Sequence, residues 1–288
     1  MDGSAHSSED GNRNEAVGMI RRDRRHDDLT PIPRAWYADD PGLTAFFNAM
    51  SIAIEELEHF LLRSVRPFRD TVKGTPLEAA LDDFLFQEST HSREHRRYNR
   101  QIDEQGFPAA ALAGELRAKV ARMEARRTPL ENLALTAAIE HFTAILAHQL
   151  LDRPEHLRAH AYPPLVRLWI WHGAEEVEHK SVTFDLLARQ VSGARRYMLR
   201  LKAILAATFL LLPFLYRVTW RFLKAEGLAW RPASWRLMLR VTLVYPGFMR
   251  RMLRDYLRWY RPGFHPWDQD DRALLFRWRD GEPEQGMR

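Results

Sequence analysis

The chain has 288 residues, 45% hydrophobic and 28% charged, with no cysteine. That length supports one large or two small domains around a substantial core. The lack of cysteine excludes disulfide frameworks, thiolate zinc sites, iron–sulfur clusters and cysteine nucleophiles, so any metal must be held by the 12 histidines and 38 acids.

Residues 1–28 are polar, with short charge runs and too little apolar content to pack, which predicts a disordered leader. The leader has no apolar secretory segment, so the expected location is the cytoplasm, where a cysteine-free chain is also at home. From residue 43 onward apolar residues recur at three and four, the helical period, and no segment alternates as a strand does. Proline and glycine at 67–76, 106–108, 129 and 154–164 punctuate this pattern. Helices are therefore predicted over 43–66, 76–104, 130–151 and 164–190, with a connecting helix at 109–126. Four long helices predict an all-α fold, a four-helix bundle spanning 29–192.

The segment 193–263 reads as a basic, partly apolar helical extension, and 264–288 as a C-terminal tail. Residues 189–263 carry 16 Lys+Arg against 2 Asp+Glu, while the remainder carries 27 against 36. The apolar run 203–216 contains Pro213 and falls short of the roughly 20 residues that a span requires. Extending it to Leu223 takes in Arg217 and Arg221, each costing about 2.5–3.5 kcal/mol at a bilayer centre. A hairpin or interfacial helix on an anionic membrane surface, through residues 195–260, is the expected partner contact, peripheral on the inner face. The competing expectation is that these helices pack on the acidic bundle. No nucleic-acid motif is present, and a homodimer is compatible with the pattern.

Writing each bundle helix as a seam of alternating three- and four-residue steps places ionisable residues where Leu or Ile belong. The seams run through Glu58; Glu88, His91 and His95; Glu140; and His172, Glu176 and His179. Unpaired buried carboxylates cost several kcal/mol and repel one another, so a cation must compensate. Glu88-x-x-His91 and Glu176-x-x-His179 put both side chains on one helix face. With Glu58 and Glu140 they make the ligand set of a di-iron or di-manganese carboxylate bundle. Glu56-x-x-His59 has the same spacing but lies off the seam, and the seam prefers Glu58 to Glu55. His172 is expected to be a third imidazole ligand, and His95 to face substrate or support the ligands. His141 points away and reads as packing. Gln87 and Glu175 are placed to orient the metal-bound imidazoles, with Glu175 a candidate general base. Trp169, Trp171 and Tyr98 are core or pocket aromatics.

The stretches NAMSIAIEELEHFLLRSVRPF, FLFQESTHSREHRRYN, ALTAAIEHFTA and WIWHGAEEVEHKSVTFDLL, with YRPGFHPWD near the end, resemble the bacterial family of predicted metal-dependent hydrolases over about residues 30–270. The resemblance implies a ferritin-like fold and metal-dependent hydrolysis. Where the family typically shows a Gly-Glu pair in the first helix, this chain has Leu57-Glu58, keeping the glutamate. The string His172, Glu176, His179 is also similar to that of di-iron N-oxygenases with a third histidine ligand.

Three functions compete at this point. The leading expectation is two metal ions, iron with manganese or zinc as alternatives, activating O2 to oxidise a small and hydrophobic organic substrate. Second is hydrolysis by a metal-activated water, and third is iron storage.

Overall fold

A computed structural model describes residues 18–281, and among these the fold is all-α with no strand. The helices are α1 (Pro41–Val65), α2 (Pro76–Glu104), α3 (Ala109–Ala125), α4 (Pro129–Asp152), α5 (Glu155–His160), α6 (Pro163–His179), α7 (Val182–Gln190), α8 (Gly193–Ala225), α9 (Pro232–Leu239), α10 (Phe248–Arg258) and α11 (Arg272–Gly281).

Local chemistry sets the boundaries. Asp40 accepts the Leu43 amide at 2.7 Å ahead of Pro41, and Thr128 with Glu131 forms a reciprocal capping box ahead of Pro129. Past the end of α2, Gly106 takes up φ +85°, a left-handed turn that a side chain would strain.

Helices α1, α2, α4 and the α6–α7 pair each touch two neighbours and close around a common core, with α3 packed on α1 and α2. The stretch expected as one helix over 164–190 breaks immediately after His179. There the C-terminal segment grips the chain: Lys180 donates to the Gln269 carbonyl at 2.6 Å and to Asp271 Oδ2 at 2.7 Å, and Trp267 donates to Ser181.

Two predicted segments behave differently from their composition. Residues 18–28, assigned to a solvated leader, lie against the bundle and bury His26. Their arginines neutralise acids that the bundle buries, which apolar counting does not register. Residues 1–17 of that leader lie outside the described residues. Likewise the tail contains α11, packed on α4 and α6.

In the extension, α8 runs unbroken through Pro213, so it is not a hairpin. It packs lengthwise on α1 and α4 while keeping a largely exposed outer face, and it is long and apolar enough to cross a membrane by length and composition alone. The stretch 234–260 forms two helices rather than one. Pro246, which has no amide to donate, and Gly247 at φ +69° end the π-helical turn Arg240–Val244 before α10 begins. Buried Arg200 ties α8 to the end of α10 by donating to the Trp259 carbonyl and lying over the Trp259 and Phe264 rings.

Candidate metal centre

The seam residues meet at mid-height of the bundle, all buried: Glu58 from α1, Glu88 and His91 from α2, Glu140 from α4, and His172, Glu176 and His179 from α6. Two groups have ligand atoms lying within 4.8 Å of one another: Glu58, His91, His172 and Glu176; and Glu88, His91, Glu176 and His179. His91 and Glu176 belong to both.

His91 aims Nδ1 inward, 3.8 Å from Glu58, 3.7 Å from Glu88 and 3.9 Å from Glu176, while its Nε2 meets Glu175 at 3.0 Å. His172 Nε2 lies 3.2 Å from Glu176 and its Nδ1 3.8 Å from Glu58. His179 Nε2 is 3.1 Å from Glu88, and its Nδ1 is 3.0 Å from Glu140. Distances near 3.8 Å are too long for hydrogen bonds. His179 Nε2 and Glu88, though 3.1 Å apart, form no hydrogen bond; with them, both oxygens of Glu58, the second oxygen of Glu88, one oxygen each of Glu140 and Glu176, His91 Nδ1 and His172 Nδ1 are buried without a hydrogen-bond partner. Native proteins satisfy nearly all such atoms. A cluster of carboxylate oxygens and imidazole nitrogens orphaned in one place has the donor chemistry that hard and borderline divalent metals take.

The electrostatics follow from crowding. Burial, reinforced by Glu88, raises the Glu58 carboxyl well above its usual range. Burial with Glu88 and Glu176 raises Glu140 to about 8. Burial opposes charge on His91, yet Glu175 and Glu88 outweigh it and hold that imidazole at about 10. The same contest at His179, won by Glu140 and Glu176, gives about 10. Glu176 goes the other way, to about 2, because its surrounding imidazoles outweigh burial. Protons thus do in the metal-free cluster what cations would otherwise do.

Around this core stands a ring of partners. Glu175 accepts from Trp171 Nε1 at 2.9 Å and from Arg22 at 3.0 Å as well as contacting His91, so both its oxygens are engaged in orienting the imidazole. That leaves it no free oxygen to serve as general base. Gln87 donates to Glu178 at 2.8 Å rather than to a histidine. His95 is fixed by a chain of assignments. Asn99 Nδ2 donates to Glu55 and the Ser51 carbonyl, so its Oδ1 receives the Ser51 hydroxyl proton at 2.7 Å. Ser51 Oγ then accepts from His95 Nδ1 at 2.9 Å, leaving His95 Nε2 a bare, unpartnered lone pair. Burial, with His172 and His91 nearby, holds this imidazole neutral.

Glu140 stands in neither four-residue group; its Oε2 faces His179 while its Oε1 has no partner. Glu55 pairs with Arg96 and Asn99, and Glu56 with Arg117, so neither turns inward. His141 packs on Trp259 with ring centroids 4.9 Å apart, away from the cluster. Tyr98 donates to Asn48, and Trp169 lines the adjoining cavity.

Residues 21–270 match the family model described as predicted metal-dependent hydrolase. The chain belongs to that family. No curated protein and no solved structure matches it. Within the predicted metal-dependent hydrolase match lie every seam acid and histidine and also Arg22, which sequence patterning missed. Arg22 pairs with Glu175 and Glu178 at 3.0 and 2.9 Å, and Arg279 from α11 reaches Glu178 at 2.6 Å. Glu178 sits two residues past Glu176, off the seam, so its spacing carries no signal; an arginine pair inside the polar leader, Arg21-Arg22, is the one trace in the sequence.

Proposed function

We propose that this protein is a hydrolase working with two divalent metal ions in the buried Glu/His cluster. The observation that carries the reading is the pair of four-residue groups sharing His91 and Glu176, built from atoms that have no other partner. Charge supports the count: Glu58, Glu88, Glu140 and Glu176 bring four negative charges into a site shielded from water, which two divalent cations beside neutral imidazoles balance. The family description favours hydrolysis over oxidation with O2.

Glu58 and His172 would hold one ion and Glu88 and His179 the other; Glu176, with two carboxylate oxygens, is in reach of both groups, and the single inward Nδ1 of His91 would serve one of them. Bound ions supply Lewis acidity, polarising a carbonyl and making water a better nucleophile. Glu175 fixes the His91 ring with Nδ1 inward, and Glu140 fixes His179. Glu140 Oε1, unpartnered and lining the cavity beside the cluster, is placed to take a proton from the attacking water. Trp169, with Leu57 and Leu61, keeps bulk water from that side.

The extension supports a place at an anionic lipid surface. Among the described residues, ten of the eleven exposed large apolar side chains fall within 198–257, including Phe209, Val244 and Leu257. Arg236, Arg240 and Arg254 stand in the same region and form no ion pair among the described residues, in keeping with headgroup contact. Liposome co-sedimentation that is insensitive to anionic lipid and salt would remove this part.

The test of the hydrolytic reading is metal content and turnover of the purified full-length chain. Two metals per chain and ester or amide hydrolysis are expected, with both metals lost in Glu176→Ala, one metal equivalent lost in Glu88→Ala, and hydrolysis lost in each. O2 uptake by the Fe(II)-loaded protein without hydrolysis would replace it with the oxidative reading.

A further inference from the structure

A cavity of about 300 Å³ begins at Glu58, Glu88, Glu140, His172 and Glu176 and runs outward between the bundle and the extension. Its inner half is walled by α1 and α4, and its outer half by α8 and α10. At the outer end Leu211 and Leu212 are half-buried and Leu253 is 55% exposed, so the cavity opens on the apolar, arginine-bearing face.

The polar groups along this wall are already engaged. Thr143 donates to the Glu140 carbonyl at 3.0 Å, and Thr208 donates to the Ile204 carbonyl at 2.7 Å and meets Tyr256, which meets Tyr260. A sugar, nucleotide or peptide entering here would give up its water contacts and gain none, at a cost that apolar contact does not repay. Among the described residues that line the cavity, the buried polar atoms without a partner are those of the Glu/His cluster and Trp169 Nε1. The volume sits at the small end of ligand pockets, enough for one chain rather than a whole two-chain lipid.

We propose that the cavity is an alkyl-chain channel and that the substrate is a single-chain acyl ester or amide with a compact head. The head enters first, and its carbonyl comes to rest at the Glu/His cluster while the chain trails toward the exposed face. This assignment rests on the hydrolytic reading for its reaction, though not for its channel. In that reaction the oxygen of water bonds to the acyl carbon and the acyl carbon–oxygen or carbon–nitrogen bond breaks. A water proton leaves with the alcohol or amine, and a carboxylic acid remains, with no change of oxidation state. The extension is thereby part of the active site: without α8 and α10 the chain would lie in solvent.

The experiment is calorimetric titration of the full-length, metal-loaded protein with primary alkanols from hexanol to dodecanol, neutral probes that report the channel without turnover. Affinity should tighten about fourfold for each added methylene until the chain fills the channel. Met252→Trp and Leu212→Trp, at half-buried positions near the opening and checked for unchanged melting, should weaken the longer alkanols roughly tenfold or more. Affinity that is flat with chain length, or dodecanol binding unchanged in both variants, overturns the channel. If the alkanol series behaves as expected but the chain takes up no metal, the hydrolytic reading fails and the channel stands. If metal binds and the series fails, the channel alone is lost.

Discussion

Glu58 offers the sharpest test of the idea that the cluster is built for cations at the expense of the metal-free fold. It is 3% exposed, both its oxygens lack partners, and its nearest imidazole nitrogens stand at 3.8 Å. Held protonated by burial, it still leaves two polar atoms unsatisfied, each costing about 1–3 kcal/mol. Glu58→Leu replaces it with a side chain of similar size that wants that environment. Taking the low end for each oxygen, the metal-free variant should gain about 2 kcal/mol, or roughly 4–8 °C in Tm for a chain of this size. Metal should move the other way. Glu58 belongs to one group only, so the variant should lose one metal equivalent and keep the other, whereas Glu176→Ala, in both groups, should lose both. At free metal 100-fold above Kd each lost site removes about 2.7 kcal/mol of stabilisation. Differential scanning fluorimetry with and without metal, beside elemental analysis, reads both effects. A metal-free Glu58→Leu protein that melts below wild type, or equal metal loss in the two variants, would refute the reasoning.

Three further outcomes are expected. Glu175→Gln should weaken metal binding about 10–100-fold, read by chelator competition, because His91 loses the carboxylate that fixes its ring. Metal uptake at neutral pH should release protons and strengthen as pH rises, since His91 and His179 near 10 and Glu140 near 8 must give up protons to it; calorimetry in buffers of differing ionisation enthalpy measures the number. Asp271→Asn should destabilise by about 3–5 kcal/mol at neutral pH by stranding buried Lys180. Burial works against the Asp271 carboxylate, but His148 and Lys180 outweigh it and hold its pKa below the ordinary 3.8. Its contribution is therefore present above about pH 4 and is lost as pH falls through the folded value, so denaturation curves of wild type and variant should converge in acid. Lys180 is itself held below its usual range because burial outweighs Asp271, which makes the acid the partner that gains from the pair.

Periodicity read the bundle well where local signals and burial agree. The boundaries of α2 follow from Pro76 and Gly106, and the seam placed six of the seven expected ligands in the two groups. The seventh, Glu140, shares the level but spends one oxygen on His179, a choice between rotamers that spacing does not encode. The break after His179 depends on Asp271 and Gln269, about 90 residues downstream, and so leaves no local trace. Composition does not register how residues 18–28 are held, because it measures apolar burial, whereas this segment is held by arginine–carboxylate pairs. The cavity was illegible for a related reason: it is the space left between helices from both ends of the chain, and no pattern within one helix records it.

The charge asymmetry of the sequence takes on a different meaning in three dimensions. Carboxylates occupy the centre, imidazoles lie against them, Glu175 stands behind His91 and shares Arg22 with Glu178, and Arg22 and Arg279 close the outside. Each layer offsets the one within, and the outermost comes from segments flanking the bundle in sequence, one before α1 and one in α11. Those two arginines therefore take the role against buried bundle acids that the competing expectation gave to the basic extension. Few extension arginines pair with bundle acids, Arg251 with Asp152 being one that does, while Arg217 and Arg221 pair with Glu115 on the connecting helix. The extension is held mainly by apolar contact of α8 with α1 and α4, leaving much of its positive charge on the outer face. Charge and apolar surface divide the work: guanidinium groups seal one side of the Glu/His cluster, and apolar helices wall the cavity on the other.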